Sequence, residues 1–83
     1  MASVNWSKDA LTLLDELDPL VRERIFSKVS WLGDNFSLIV PEPLRRDLKG
    51  LYKLRVGDYR VIYAVQGEVI TIELLGHRRD IYR

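Results

Sequence analysis

Apolar residues recur every three or four positions in the first part of the chain and every second position in the last part. Residues 10–17 and 21–32 each carry one apolar stripe at helical spacing. Three later runs, LYKLRV, YRVIYAVQ and VITIELL, alternate in the manner of strands with one buried face. The pattern therefore predicts two amphipathic helices followed by three strands.

Capping residues define where the two helices begin and end. Ser7 is suited to cap the first helix, with Asp9 in the first turn near the positive end of the helix dipole. Asp18 and Pro19 end that helix and begin the next, because Asp caps and Pro fits the first helical position. We expect the second helix to stop at Gly33.

The remaining segments complete a single domain over residues 1–83. The run SVNW is a short predicted strand ahead of the first helix, residues 34–43 form a predicted loop, and LRRDLKG leads into the sheet. The element order is β-α-α-β-β-β. We expect an α+β fold in which a helical hairpin covers one face of a mainly antiparallel sheet.

Turn chemistry fixes the predicted strand register. A two-residue turn at Gly57 and Asp58 places Tyr52, Leu54 and Val56 opposite Tyr63, Val61 and Tyr59 on one apolar face. A second two-residue turn at Gln66 and Gly67 adds Ile70, Ile72 and Leu74 to that face. The helices are expected to cover it, which leaves Leu75 on the opposite face.

The opposite face of the predicted sheet carries the charged residues. Lys53, Arg55 and Arg60 share it, with Glu73 across from an exposed Arg60. The chain end and the loop ahead of the sheet extend this basic patch with His77, Arg78, Arg79, Tyr82, Arg45, Arg46 and Lys49. Basic and aromatic residues on one surface are typical of nucleic-acid binding, although a solvated strand face has the same composition.

Charge and composition narrow the possible environment and partners. Residues 1–43 carry a net charge of −3 and residues 44–83 one of +4, within a total of +1. This asymmetry favours a polyanion as partner of the second half. The chain has no cysteine, and we expect no signal peptide, no membrane segment and a cytoplasmic location.

The segments LKGLYKLRVGDYRVIYAV and LLGHRRDIYR resemble the RelE toxins of the RelE/ParE superfamily. The resemblance covers nearly the whole chain and is strongest over residues 48–82. It implies an endoribonuclease that enters the ribosomal A site, cleaves mRNA without a metal ion or other cofactor, and is silenced by a cognate RelB-like antitoxin.

The resemblance also implies roles for individual residues. Lys53 and Arg55 match basic residues of the first hairpin strand, Arg60 matches an arginine of the second, and Arg78 and Tyr82 match the C-terminal pair. We expect Arg60 to clamp the phosphate and Lys53, crowded by like charges, to act as general base. Arg78 would then stabilise the leaving oxygen or donate a proton. Tyr82 would stack on a base and orient the 2′-hydroxyl, or take part in the proton transfer.

Two other classes of function stay open at this point. The ParE branch shares the fold and inhibits DNA gyrase by protein contact, but it typically lacks the arginine and terminal tyrosine matched by Arg78 and Tyr82. A non-catalytic nucleic-acid-binding module is the third possibility, because some RelE enzymes carry a lysine where this chain has Leu51. His77 is an RNA-binding candidate with a smaller chance of a direct chemical role.

Overall fold

The computed structural model describes residues 2–45 and 49–81 and places five strands in one sheet. The elements are β1 Ser3–Trp6, α1 Lys8–Asp15, α2 Pro19–Asn35, β2 Glu42–Pro43, β3 Leu51–Val56, β4 Tyr59–Gln66, β5 Val69–His77 and α3 Arg78–Ile81, with a short 3-10 helix at Phe36–Leu38 after α2. The predicted α+β class and the predicted order of the main elements are confirmed. The short elements β2 and α3 are additions that the sequence patterns did not predict.

The sheet has the strand order β1-β5-β4-β3-β2, with β1 parallel to β5 and the other pairs antiparallel. Helices α1 and α2 pack on one face of this sheet. Their buried side chains join strand residues in a single core of Ala10, Leu14, Ile25, Val29, Leu32, Leu54, Val61, Tyr63, Ile70, Ile72 and Leu75. Within the described residues, no helix is long and apolar enough to cross a membrane.

The β3–β4 hairpin has the predicted register. Val56 pairs with Tyr59, Leu54 with Val61 and Tyr52 with Tyr63. Gly57 has a φ of 59°, in the left-handed region that a tight hairpin turn requires and that glycine adopts without steric cost. The tyrosine, leucine and valine side chains of this hairpin therefore face the helices, as the alternation predicted.

The β4–β5 hairpin departs from the predicted register from the turn onwards. The predicted turn at Gln66 and Gly67 is wrong, because Gln66 pairs with Val69 and the turn lies at Gly67 and Glu68. This moves each pairing by two residues, so Ile70 and Ile72 keep the predicted face. Ile62 pairs with Leu74 while Tyr63 pairs with Ile72, so Glu73 is an extra residue in β5, a β-bulge. The bulge reverses the alternation, which makes the predictions for the two following leucines wrong. Leu75 is buried in the core at 2% exposure and Leu74 is 45% exposed.

Contacts from the start of α1 hold the bulge in place. The Ser7 hydroxyl caps α1 by accepting a hydrogen bond from the Ala10 N–H at 3.0 Å, as predicted. The same hydroxyl donates to the carbonyl of Glu73 at 2.9 Å, and the Ser7 N–H donates to the carbonyl of Ile72. The bulged backbone therefore has partners that a regular ladder would not supply.

Helix α2 begins where predicted but continues past Gly33. Asp18 caps it by accepting from the Leu20 N–H at 3.0 Å, and the helix ends at Asn35. Gly33 is buried because α2 approaches β1 at this point. A β-carbon at Gly33 would lie 2.9 Å from the Val4 side chain and 3.3 Å from the Ala2 carbonyl oxygen. The glycine permits close packing rather than ending the helix, so the predicted stop is wrong.

We predict that Gly33→Ala lowers the free energy of unfolding by about 1–3 kcal/mol, because the added methyl overfills the contact with β1. In a Val4→Ala background the same change should lose most of its cost, since alanine favours the helix by about 1 kcal/mol over glycine. Urea denaturation of the four proteins in this cycle measures both effects. Equal costs in the two backgrounds would contradict the proposed clash.

Tyr63 lies in the core, where its ring contacts that of Tyr52 at a centroid distance of 5.6 Å. Burial raises the pKa of Tyr63 to about 12, with smaller contributions from Tyr52 and Glu42. A tyrosine in the unfolded chain ionises near pH 10. Above pH 10 the tyrosine ionises in the unfolded chain before it does so in the folded one. The free energy of unfolding therefore keeps the full contribution of buried Tyr63 below pH 10 and loses it as the pH rises towards 12.

We predict that Tyr63→Phe removes a component of the alkaline destabilisation worth roughly 2–3 kcal/mol between pH 10 and 12. Denaturation midpoints measured across that range test this. Tyr59→Phe is the matched control, and it should retain the Tyr63 component. An unchanged alkaline stability profile in Tyr63→Phe would show that the tyrosine ionises equally in both states.

Candidate functional site

The C-terminal helix α3 returns over the sheet face that α1 and α2 leave open. A β-carbon at Gly76 would lie 3.5 Å from the Ile81 side chain, which places Ile81 above Gly76. Gly76 pairs with Arg60 and belongs to the face opposite Leu75. The sequence prediction that the charged chain end approaches this face is therefore supported for residues 78–81.

The β3–β4 turn anchors the start of α3. The Arg78 N–H donates to the carbonyl of Asp58 at 2.8 Å. The Arg78 Nε lies 3.9 Å from Oδ1 of Asp58, and the Arg78 side chain remains 56% exposed. Main chain and side chain of Arg78 thus both face one turn residue, while the guanidinium stays accessible to a ligand.

The same turn binds the guanidinium of Arg60. Its Nη1 donates to the carbonyl of Gly57 at 2.9 Å and to that of Tyr59 at 2.8 Å. Arg60 is only 7% exposed, so the prediction that its side chain is exposed is wrong. Its Nε has no hydrogen-bond partner among residues 2–45 and 49–81. A cation held by two turn carbonyls stabilises the hairpin, which gives Arg60 a structural role that alternation on a strand does not reveal.

The two basic residues of β3, Lys53 and Arg55, both lie next to Glu42. Arg55 pairs with Arg60 in the strand register, but its Nε donates to Oε1 of Glu42 at 3.0 Å. Lys53 is half-buried and pairs with Glu42 itself in the register between β2 and β3. One of the two arginines expected to crowd Lys53 is therefore paired with an acid, and the role of Lys53 as general base stays a prediction.

His77 lies on the other side of the sheet from Arg60. It pairs with Tyr59, and the two rings meet edge to face at a centroid distance of 5.5 Å. Its Nδ1 accepts a hydrogen bond from the Arg79 N–H at 3.2 Å. The bulge at Glu73 explains this position, since it changes the face of every later residue in β5. Placing His77 in the basic patch was wrong.

Three of the remaining predicted binding residues, Arg45, Lys49 and Arg79, are exposed. Arg46 and Tyr82 lie outside the described residues, so their predicted roles stay predictions. Glu73, expected across from Arg60, is the bulged residue, and Gly76 occupies the opposing position.

Two acidic residues at the site were missed by sequence reasoning. Asp58 was recognised as a turn residue but not as a partner of Arg78. Glu42 lay in a segment predicted to be a loop, and its strand β2 is too short to give a periodic signal. Neither contact is visible in spacing alone, because both join residues brought together by tertiary structure.

The arrangement is suited to stabilising negative charge. The Arg78 guanidinium is exposed and the Arg60 guanidinium is buried, and both are attached to the same turn by hydrogen bonds or an ion pair. Preorganised cations of this kind stabilise charge that develops on a phosphate during reaction. The described site thus supports binding of a phosphate ester more strongly than proton transfer.

Sequence comparison identifies the class of protein. The model of the family described as ParE toxin of type II toxin–antitoxin system, parDE, matches residues 4–82. The chain belongs to this family and is a toxin of the RelE/ParE superfamily, as the sequence resemblance indicated.

Individual relatives agree with this assignment. Toxin RelG of Mycobacterium tuberculosis is 46% identical over 48 residues, a match that spans 55% of this chain and about half (55%) of that protein. A chain of the toxin–antitoxin complex RelBE2 from the same organism superposes on this chain with a TM-score of 0.80 at 28% identity. The match covers 93% of this chain and 98% of that chain. The chromosomal ParDE system of Pseudomonas aeruginosa gives a TM-score of 0.73 at 19% identity, over 93% and 96% of the two chains, and shows the shared fold alone.

We predict that Arg60→Ala lowers the free energy of unfolding by about 1.5–3 kcal/mol, because it removes charged hydrogen bonds to two turn carbonyls. Arg79→Ala, at an exposed site, should change it by less than about 0.5 kcal/mol. Chemical denaturation of both variants provides the comparison. If Arg60→Ala proved as stable as the parent chain, the structural role of this arginine would be refuted.

Proposed function

We propose that this toxin inhibits translation by cleaving mRNA in the ribosomal A site. The observation that carries the proposal is the attachment of Arg60 and Arg78 to one turn, at the end of the sheet face that α1 and α2 leave open. The similarity to proteins named RelG and RelE supports the ribonuclease branch of the superfamily.

The proposed reaction uses the 2′-hydroxyl of the RNA as nucleophile. A base removes its proton, the oxygen attacks the adjacent phosphorus in line, and the bond to the 5′-oxygen breaks. The leaving oxygen takes up a proton, so the products carry a 2′,3′-cyclic phosphate and a 5′-hydroxyl. The protein must stabilise the additional negative charge on the phosphate and orient the two oxygens.

The structure changes the roles proposed for the arginines. Arg78 is the exposed guanidinium and is the better candidate to contact the phosphate or the leaving oxygen. Arg60 is buried, so we propose that it stabilises the turn and that its charge attracts the phosphate without direct contact. Lys53 stays the candidate base and Tyr82 the candidate for stacking on a base of the RNA, both by family resemblance.

We also propose that a cognate antitoxin silences the protein, as RelB binds RelE in the related complexes. An open groove of roughly 870 Å³ between α2 and the end of β3 could accept a segment of such a partner. Leu20, which is 72% exposed, and Trp31 supply apolar contacts, while Arg24 and Lys28 supply positive charge along its sides and Glu23 supplies one negative charge. This combination suits an amphipathic helix with acidic residues.

Gyrase inhibition is the second candidate, because the matched family model carries the ParE name and the fold of a ParDE system is similar. The fold does not separate the two activities. A non-catalytic nucleic-acid-binding module is the third candidate, and the burial of Arg60 is the observation in its favour.

We predict that the purified chain cleaves mRNA on programmed ribosomes without any metal ion beyond the Mg²⁺ that the ribosomes require, and that Arg78→Ala lowers the rate roughly 100-fold. Arg78 is exposed, so circular dichroism should show an unchanged fold. Arg22→Ala, which removes a charge from α2, is the control and should cleave at the parent rate. Equal rates for Arg78→Ala and the parent would refute the role of Arg78.

We predict that Leu20→Glu weakens antitoxin binding at least tenfold without unfolding the toxin, because it places an acid in the groove beside the acidic partner. Leu38→Glu is the matched control, since Leu38 is 82% exposed and does not line the groove. Titration calorimetry with the antitoxin encoded beside the toxin measures both. Equal losses in the two variants would show that the groove is not the contact.

A further inference from the structure

We propose that Asp58 is a positioning residue that directs the Arg78 guanidinium towards the substrate phosphate. The expected effect on cleavage rests on the proposed ribonuclease function. The contact between Asp58 and Arg78 does not depend on that function. Asp58 holds Arg78 at two points, through the backbone carbonyl and through the carboxylate. The two contacts have different consequences.

The backbone contact fixes where α3 begins. The Arg78 N–H donates to the Asp58 carbonyl at 2.8 Å, and this hydrogen bond does not depend on the side chain at position 58. Substituting Asp58 should therefore leave the junction between β5 and α3 in place. It also leaves the turn intact, because the positive φ of 59° belongs to Gly57 and the carbonyls that bind Arg60 belong to Gly57 and Tyr59.

The carboxylate contact determines the direction of the guanidinium. Oδ1 lies 3.9 Å from Nε, which is too long for a hydrogen bond and makes the contact an ion pair. Both side chains are largely exposed, at 56% and 69%. An exposed ion pair contributes little to the free energy of unfolding. It nevertheless restricts the flexible Arg78 side chain to orientations in which its Nε faces the Asp58 carboxylate. An ion pair through Nε leaves the two terminal nitrogens of the guanidinium available for phosphate oxygens.

A second cation, Arg60, is bound to the same turn through the carbonyls one residue on either side of Asp58. The Asp58 carboxylate therefore belongs to a turn that also binds the cation of Arg60, and its charge offsets part of the positive charge gathered there.

The first experiment measures Arg78 directly. ¹⁵N relaxation of the Arg78 Nε–Hε group should show a restricted side chain in the parent and a mobile one in Asp58→Ala and Asp58→Asn. Both variants remove the charge, and Asn keeps the size. Glu68→Ala is the matched control, because Glu68 follows Gly67 in the other hairpin turn. Unchanged mobility of Arg78 in both Asp58 variants would overturn the proposal, whether or not the protein cleaves RNA.

The second experiment connects the contact to cleavage. Asp58→Ala should lower the rate on programmed ribosomes about fivefold in the parent background, the size expected for one exposed ion pair. The change should have no further effect in an Arg78→Ala background, and Asp58→Glu should restore part of the rate. A fivefold loss in both backgrounds would overturn the positioning role. If the parent itself does not cleave, the proposed function fails and the relaxation measurement alone decides the role of Asp58.

Discussion

The two-residue turn between β3 and β4 is the constraint on which the rest of the site depends. Gly57 permits the turn, and the turn fixes the register that puts the tyrosines of the hairpin under the helices. Its carbonyls then bind one arginine from β4 and the first residue of α3. The core and the basic site are thus organised from the same few backbone atoms, and a change of register would disturb both.

Much of the fold could be predicted from local signals. The caps at Ser7 and Asp18 and the alternation in β3 and β4 depend on residues close in sequence, and the structure confirms them. The bulge at Glu73 depends instead on Ser7, which is 66 residues away and donates to its carbonyl. The continuation of α2 through Gly33 depends on its packing against β1. Neither can be derived from local periodicity.

The sequence predicted which basic residues of the sheet share one face, but not where the ends of their side chains lie. Alternation correctly placed Lys53, Arg55 and Arg60 on one face, but it does not determine where a long side chain ends. The guanidinium of Arg60 turns back to the hairpin and that of Arg55 pairs with Glu42. Because long side chains can reach in several directions, tertiary acceptors decide which cations meet a ligand. We therefore propose Arg78 rather than Arg60 as the residue that contacts the phosphate.

We propose that this toxin acts on mRNA and not on gyrase. The most direct test is brief expression of the chain in cells, followed by mapping of the 5′ ends of one translated message and measurement of plasmid supercoiling in the same culture. We expect new 5′-hydroxyl ends within the translated region and unchanged supercoiling. Intact mRNA together with altered supercoiling would refute the proposed action on mRNA.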